Sequence, residues 1–226
     1  DPVSLYVEAL SILPPMQTTP KFDAHCRLAR FEGVSVVSPL APTSQLYQVM
    51  SLVQNLIRSN PLLAPHFALL PPSSFHVTAM DLLSCLPTNY DGCKKKWQAL
   101  FDKAQAAFDS CSSLLPASLK FTPQHFSSNM NLVVLDPTPE TSAALQKWRE
   151  QLADKCVGLE GFHFKCAYRF HSTFSYQVYQ LASDEALQAR QDISQAASAL
   201  LSAVGTVSLP KPQFCRFHDM GKFSPV

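Results

Sequence analysis

Three of the seven histidines are followed two places later by a hydroxyl side chain: His76-Val77-Thr78, His125-Phe126-Ser127 and His171-Ser172-Thr173. Imidazole titrates near neutrality, so one neutral and one protonated ring can act as base and acid in the same reaction. A hydroxyl nearby can donate to an anionic oxygen. Two such pairs converging on one pocket suit the opening of a cyclic phosphodiester. One ring takes a proton from water, the other protonates the departing sugar oxygen, and the hydroxyls hold the non-bridging oxygens.

The bare pattern arises easily by chance in a chain this rich in Ser and Thr, so the flanking residues decide. His76 and His171 sit in matched Phe-His-x-Thr contexts inside strand-like runs. In a strand, side chains at i and i+2 share a face. His76 and Thr78 then face one way, with Phe75, Val77 and Ala79 opposite. His171 and Thr173 do the same, with Phe170 and Phe174 opposite. His125 precedes Ser127-Ser128-Asn129, where the alternation breaks at a turn, and reads as a bystander. Arg169 shares the alternation face of His171 and is a phosphate-binding candidate.

The elements that must carry these residues follow from periodicity. Residues 1–30 are proline-rich and aperiodic, an irregular arm, and residues 31–226 read as one domain. Strands are predicted at 33–40, 74–83, 118–126, 132–135, 167–179, 206–209 and 213–217. Helices are predicted at 43–59, 93–113, 138–157 and 183–204, capped by Thr43 or Ser44, by Thr138, and by Ser183 or Asp184. Consecutive strands at 118–135 do not fit a parallel βαβ series, so the class is α+β.

Composition narrows the function. Apolar residues make up 46% and charged residues 15%, which supports a packed core. Eighteen basic residues against 17 acidic give a net charge of +1, so duplex DNA is not an expected partner. No apolar run is long enough for a membrane span. The seven cysteines lack a C-x-x-C pair and no N-x-[ST] acceptor occurs, which points to free thiols and a cytoplasmic location. The chain starts at Asp1-Pro2, as a trimmed or processed chain would, and any targeting peptide would lie outside this sequence. No carboxylate cluster of the Mg²⁺-binding kind is apparent, so no metal or cofactor is expected.

The two motifs, with the segments Pro71 to Thr78, Tyr168 to Tyr176 and Phe214 to Met220, resemble the 2H phosphoesterase superfamily. The resemblance implies a LigT-like fold of two interlocked α+β lobes. A pseudo-twofold would relate the lobes, and each would give one motif to a central cleft. It implies metal-independent hydrolysis of 2′,3′-cyclic phosphates, with His76 and His171 catalytic and Thr78 and Thr173 holding phosphate. The substrate would be a nucleotide or an RNA end, and a monomer is the expected state. A tyrosine five residues after the second histidine is common in such enzymes; Tyr176 stands there, although plain alternation puts it on the wrong face unless the strand ends or bulges.

Other candidates have simpler readings. Lys94-Lys95-Lys96 reads as a solvated helix face. Tyr168, Phe174 and Trp148 could stack a base, but core packing is the default for each. Asp219 reads as a turn cap. A binding module without turnover is the main alternative, and a cysteine hydrolase lacks any nucleophile motif.

Overall fold

The computed structural model describes residues 21–23, 25–85, 90–162, 164 and 167–226, with only the backbone for Cys85 and residues 90–96. Most of the proline-rich arm and the Lys94-Lys95-Lys96 run therefore lie outside the described side chains.

Ten strands and four α-helices are described. The first sheet holds β1 (Glu32–Pro39), β3 (His76–Cys85), β9 (Gln213–Phe217) and β10 (Phe223–Pro225), in the order β10-β9-β1-β3. The second holds β4 (Ser118–Phe126), β5 (Leu132–Pro137), β6 (His171–Thr173) and β8 (Val207–Pro210), in the order β6-β5-β4-β8. A short ribbon pairs β2 (Phe67–Leu69) with β7 (Ser175–Gln177), and every pairing is antiparallel. With the helices this is an α+β fold. Each histidine motif lies on an edge strand of its sheet, β3 or β6, and the two edges pack together.

The two sheets are linked because the chain changes sheets near its end. β8 closes the second sheet, and after Lys211 and Pro212 β9 enters the first. The buried Ser38 hydroxyl on β1 donates to the Pro210 carbonyl at 2.9 Å and ties the crossing down.

The helices follow the apolar periodicity. α1 (Gln45–Ser59) is capped by the Ser44 hydroxyl, which accepts from the Tyr47 amide at 3.3 Å, and it buries Leu46, Met50, Val53 and Ile57. It packs on α4 (Asp184–Ser202), capped by Ser183. α2 (Tyr90–Cys111) packs on α3 (Pro139–Lys155), capped by Thr138 with Pro139 in its first turn. Among the described residues, no helix is long and apolar enough to cross a membrane.

One expectation needs correction, and two strands had no counterpart in the sequence reading. The strand predicted over 167–179 is two three-residue strands in different sheets, separated at Phe174. β2 and β10 were not legible at all, being three-residue strands in proline-rich surroundings. At Gly33 a side chain is excluded, because the Phe217 ring lies directly against it and the Leu83 carbonyl oxygen would be 2.6 Å from a Cβ.

Candidate active site

β3 and β6 meet over a cavity of about 360 Å³ whose walls include His76, Thr78, His171, Thr173 and Tyr176. Five of the six site residues expected from sequence are thus brought together. The sixth, Arg169, is not on the cavity wall. Its guanidinium turns to the exposed His125 ring, 3.3 Å from Nε2, while its main-chain carbonyl serves the site. His125 lies outside the cavity as well.

The two histidines are held by the same device. Nδ1 of His76 meets the carbonyl oxygen of Ser74 at 2.6 Å, and Nδ1 of His171 meets that of Arg169 at 2.9 Å. A carbonyl oxygen only accepts, so each Nδ1 carries the proton. Nε2 is then the nitrogen left in each ring to exchange a proton. In both motifs the carbonyl belongs to the residue two places before the histidine. Each ring also leans on an aromatic: His76 on Phe223 at 4.1 Å between centroids, and His171 on Tyr168 at 6.2 Å and nearly parallel.

The rings differ in setting. Burial pushes the His76 pKa down to about 4, and the charges of His171 and Lys21 push the same way. The Ser74 carbonyl and the Asp81 carboxylate oppose that shift and are outweighed. At neutral pH His76 is therefore a neutral imidazole.

Tyr176 reaches the cavity because the strand ends. β6 stops at Thr173, Phe174 is fully buried, and the chain re-pairs as β7 against β2. That break shifts the alternation by one and swings Tyr176 back beside Thr173.

Among the cavity residues not assigned to the site from sequence, three bear on its chemistry. The register of β3 against β1 skips Ala79 and again Leu82. Strict alternation would follow Thr78 with Met80, which is instead buried. After the skip it is Asp81 that joins His76 and Thr78 on the cavity face, where it accepts from the Ser35 hydroxyl at 3.2 Å. Lys21 arrives from the arm expected to be irregular. The arm's last stretch is a small hairpin, with the Ala29 amide on the Lys21 carbonyl and the Asp23 carboxylate capping the amides of His25 and Arg27. It lays Phe22 on the Tyr176 ring at 4.9 Å, and Lys21 Nζ donates to the Tyr176 hydroxyl at 3.4 Å. Only the count of prolines and the missing periodicity were visible there, and neither reveals a hairpin.

The third is Tyr168, whose default reading was core packing. It lies on the cavity wall with Thr78, and the Arg149 guanidinium lies 4.6 Å from its ring centre. Burial raises its pKa well above the ordinary phenol value. Phe174 and Trp148, by contrast, are core. Asp219 caps a turn by accepting from the Gly221 amide at 2.7 Å.

The described thiols are poor nucleophiles. Burial pushes Cys156 and Cys215 up to about 11; it does the same for Cys26, with help from the Asp23 charge, and it also raises Cys111. None of the four lies on the cavity wall. Among the described residues, no three His, Cys, Asp or Glu side chains are grouped to hold a metal ion.

Comparison with known proteins gives one family and one shared fold. The model of a family described as 2H-phosphodiest, domain of unknown function (DUF1868), matches residues 21–143. The crystal structure of a conserved protein of unknown function, ATU0111 from Agrobacterium tumefaciens, superposes over 98% of this chain and 96% of its own, with a TM-score of 0.74 at 22% identity. A phosphoesterase structure covers 86% of this chain and 95% of its own, with a TM-score of 0.47 and 10% identity. E. coli LigT complexed with 3′-AMP covers 87% and 95%, with a TM-score of 0.46 and 9% identity. No curated protein matches the chain.

Proposed function

This chain belongs to the 2H phosphodiesterase family, a family of phosphoesterases, and on that premise we propose that it hydrolyses 2′,3′-cyclic phosphates of nucleotides or RNA ends without a metal ion. The observation that carries the reading is the paired pinning of His76 and His171. Both rings present Nε2 as the exchangeable nitrogen, and both line one cavity with two threonine hydroxyls.

The roles follow from the settings of the rings. His76, neutral at pH 7, takes a proton from water as the water oxygen attacks phosphorus. The bond from phosphorus to one ribose oxygen breaks, and His171, in the role of acid, protonates that oxygen. The product is a ribose monophosphate with one free hydroxyl. Thr78 and Thr173 donate to the non-bridging oxygens, where charge builds up in the transition state. Tyr176 and Lys21 stand beside them, and the ammonium offsets that charge.

The test is turnover of nucleoside 2′,3′-cyclic phosphates in the presence of EDTA by wild type, His76→Ala and His171→Ala. Each substitution is expected to lower turnover about 10²-fold or more, the scale of general acid–base contributions. Wild-type rates in either variant, or abolition by EDTA, would overturn the mechanism. Tight binding of 3′-nucleotides without turnover would mark the protein as a binding module instead.

A further inference from the structure

We infer that Asp81 is the base-reading residue of this cavity and selects guanine. The inference rests on the phosphodiesterase reading above and names the substrate class of the same site. Asp81 is an exposed side chain on the cavity wall, brought there by the skip at Ala79. The buried Ser35 hydroxyl, on the neighbouring strand, holds one of its carboxylate oxygens. A carboxylate on the wall of an anion-binding cavity repels phosphate, so its partner in the substrate is a hydrogen-bond donor.

Its distance from the phosphate site fits a nucleoside. Asp81 lies three residues beyond Thr78, and a strand advances about 3.3 Å per residue, so the separation is roughly 10 Å or less. That is the reach from a phosphate across a ribose to the edge of a base. The cavity, at about 360 Å³, is at the small end of ligand clefts, a size suited to a single nucleotide. The rings of Tyr168, Phe217 and Phe223 line its walls and give it an apolar component suited to a base.

An ionised carboxylate only accepts, and its two oxygens present parallel acceptors. Guanine alone among the four bases has a ring N–H adjacent to an amino group, which pairs with both oxygens. Adenine and cytosine set a ring acceptor beside their amino group, and uracil flanks its ring N–H with two carbonyls. Each of these turns at least one lone pair toward the carboxylate.

The experiment compares kcat/KM for the four nucleoside 2′,3′-cyclic phosphates in wild type and Asp81→Asn, a shape-conserving change. Wild type is expected to favour guanosine by about tenfold or more, and in Asp81→Asn the guanosine-to-uridine ratio is expected to fall by about tenfold or more. An unchanged ratio, or an equal loss on all four substrates, would overturn the inference. Binding of 3′-GMP against 3′-UMP, measured by calorimetry on both proteins, reads the base site without chemistry. An Asp81-dependent preference in binding with no turnover would sink the phosphodiesterase reading and leave the base site standing. Turnover without base preference would sink the base site alone. An oligonucleotide ending in a guanosine cyclic phosphate is run beside the mononucleotide. Preference for guanosine in either form supports the inference, and the better substrate distinguishes an RNA end from a free nucleotide.

Discussion

The buried side-chain amide of Gln54 donates to the main-chain carbonyl of Phe174 at 2.6 Å. The same nitrogen donates to the carbonyl of Leu70 at 2.7 Å, and the Leu70 amide in turn donates to the Phe174 carbonyl. Leu70 leads into the first histidine motif, and Phe174 immediately follows the second. A single residue of α1 thus staples together the two segments that deliver the catalytic rings.

Replacing that staple is expected to loosen both motifs at once. Gln54→Leu keeps much of the volume but leaves buried carbonyl oxygens short of a donor. The cost is about 2 kcal/mol, which for a chain of this size lowers Tm by roughly 5 °C. Turnover should fall as well, because the distance between the rings is no longer fixed. Thermal unfolding and kcat measured on the same preparation check both. A variant with wild-type Tm and kcat would show that the staple is dispensable.

The depressed pKa of His76 makes a prediction about acid. Its folded-state value of about 4 lies below the ordinary 6.5, and burial is the main cause. Between those two values the unfolded chain binds more protons than the native protein, so stability rises with pH there. The contribution is complete above about pH 6.5 and is lost as pH falls toward 4. His76→Asn should flatten that part of the stability curve. The acid limb of kcat/KM in wild type should likewise lie well below pH 6.5, because the base stays neutral down to about pH 4. An acid limb inflecting near 6.5 would show that His76 is not the base.

Tyr168 positions rather than reacts. Its phenol stays protonated and shares the cavity wall with Thr78, and its ring lies along His171. Tyr168→Phe removes the hydroxyl and keeps the ring. The loss of one polar group at the phosphate site corresponds to about tenfold in kcat/KM, and it should appear mainly in kcat with little change in Tm. Tyr168→Ala removes the ring as well and should cost more. Equal, small effects of the two substitutions would remove Tyr168 from the positioning layer.

What could be read from the sequence was whatever depends on a regular period. The helical stripe at Leu46, Met50, Val53 and Ile57 located α1, and the i, i+2 spacing placed His76 with Thr78 and His171 with Thr173. What was hidden depends on breaks in the period. The skip at Ala79 put Asp81 where alternation put Met80. The strand end at Thr173 was needed to bring Tyr176 round. Arg169 lay on the correct face by alternation, but the chain ahead of His171 is not a strand, so its side chain is free to turn toward His125. A hairpin of nine residues such as 21–29 has no apolar period to announce it.

That hairpin makes the last prediction. Among the described cavity-wall residues Lys21 is the only lysine or arginine, and its ammonium lies 5.3 Å from the centre of the Tyr176 ring. A cyclic phosphodiester carries one negative charge and gains more as water adds, so a cation there favours the transition state over bound substrate. Lys21→Met keeps the aliphatic stem against Phe31 and Tyr176 and deletes the charge. It is expected to lower kcat by about tenfold or more, with a smaller change in KM and an unchanged Tm. Added salt should slow the wild type more than the variant, because the partly exposed charge is screened. Lys21→Arg should recover part of the rate, since the charge returns with a different shape. If Lys21→Met turns over at the wild-type rate with the same salt dependence, the hairpin serves only to cover Tyr176, and the charge must be met by other groups of the cavity, His171 and the two threonine hydroxyls among them.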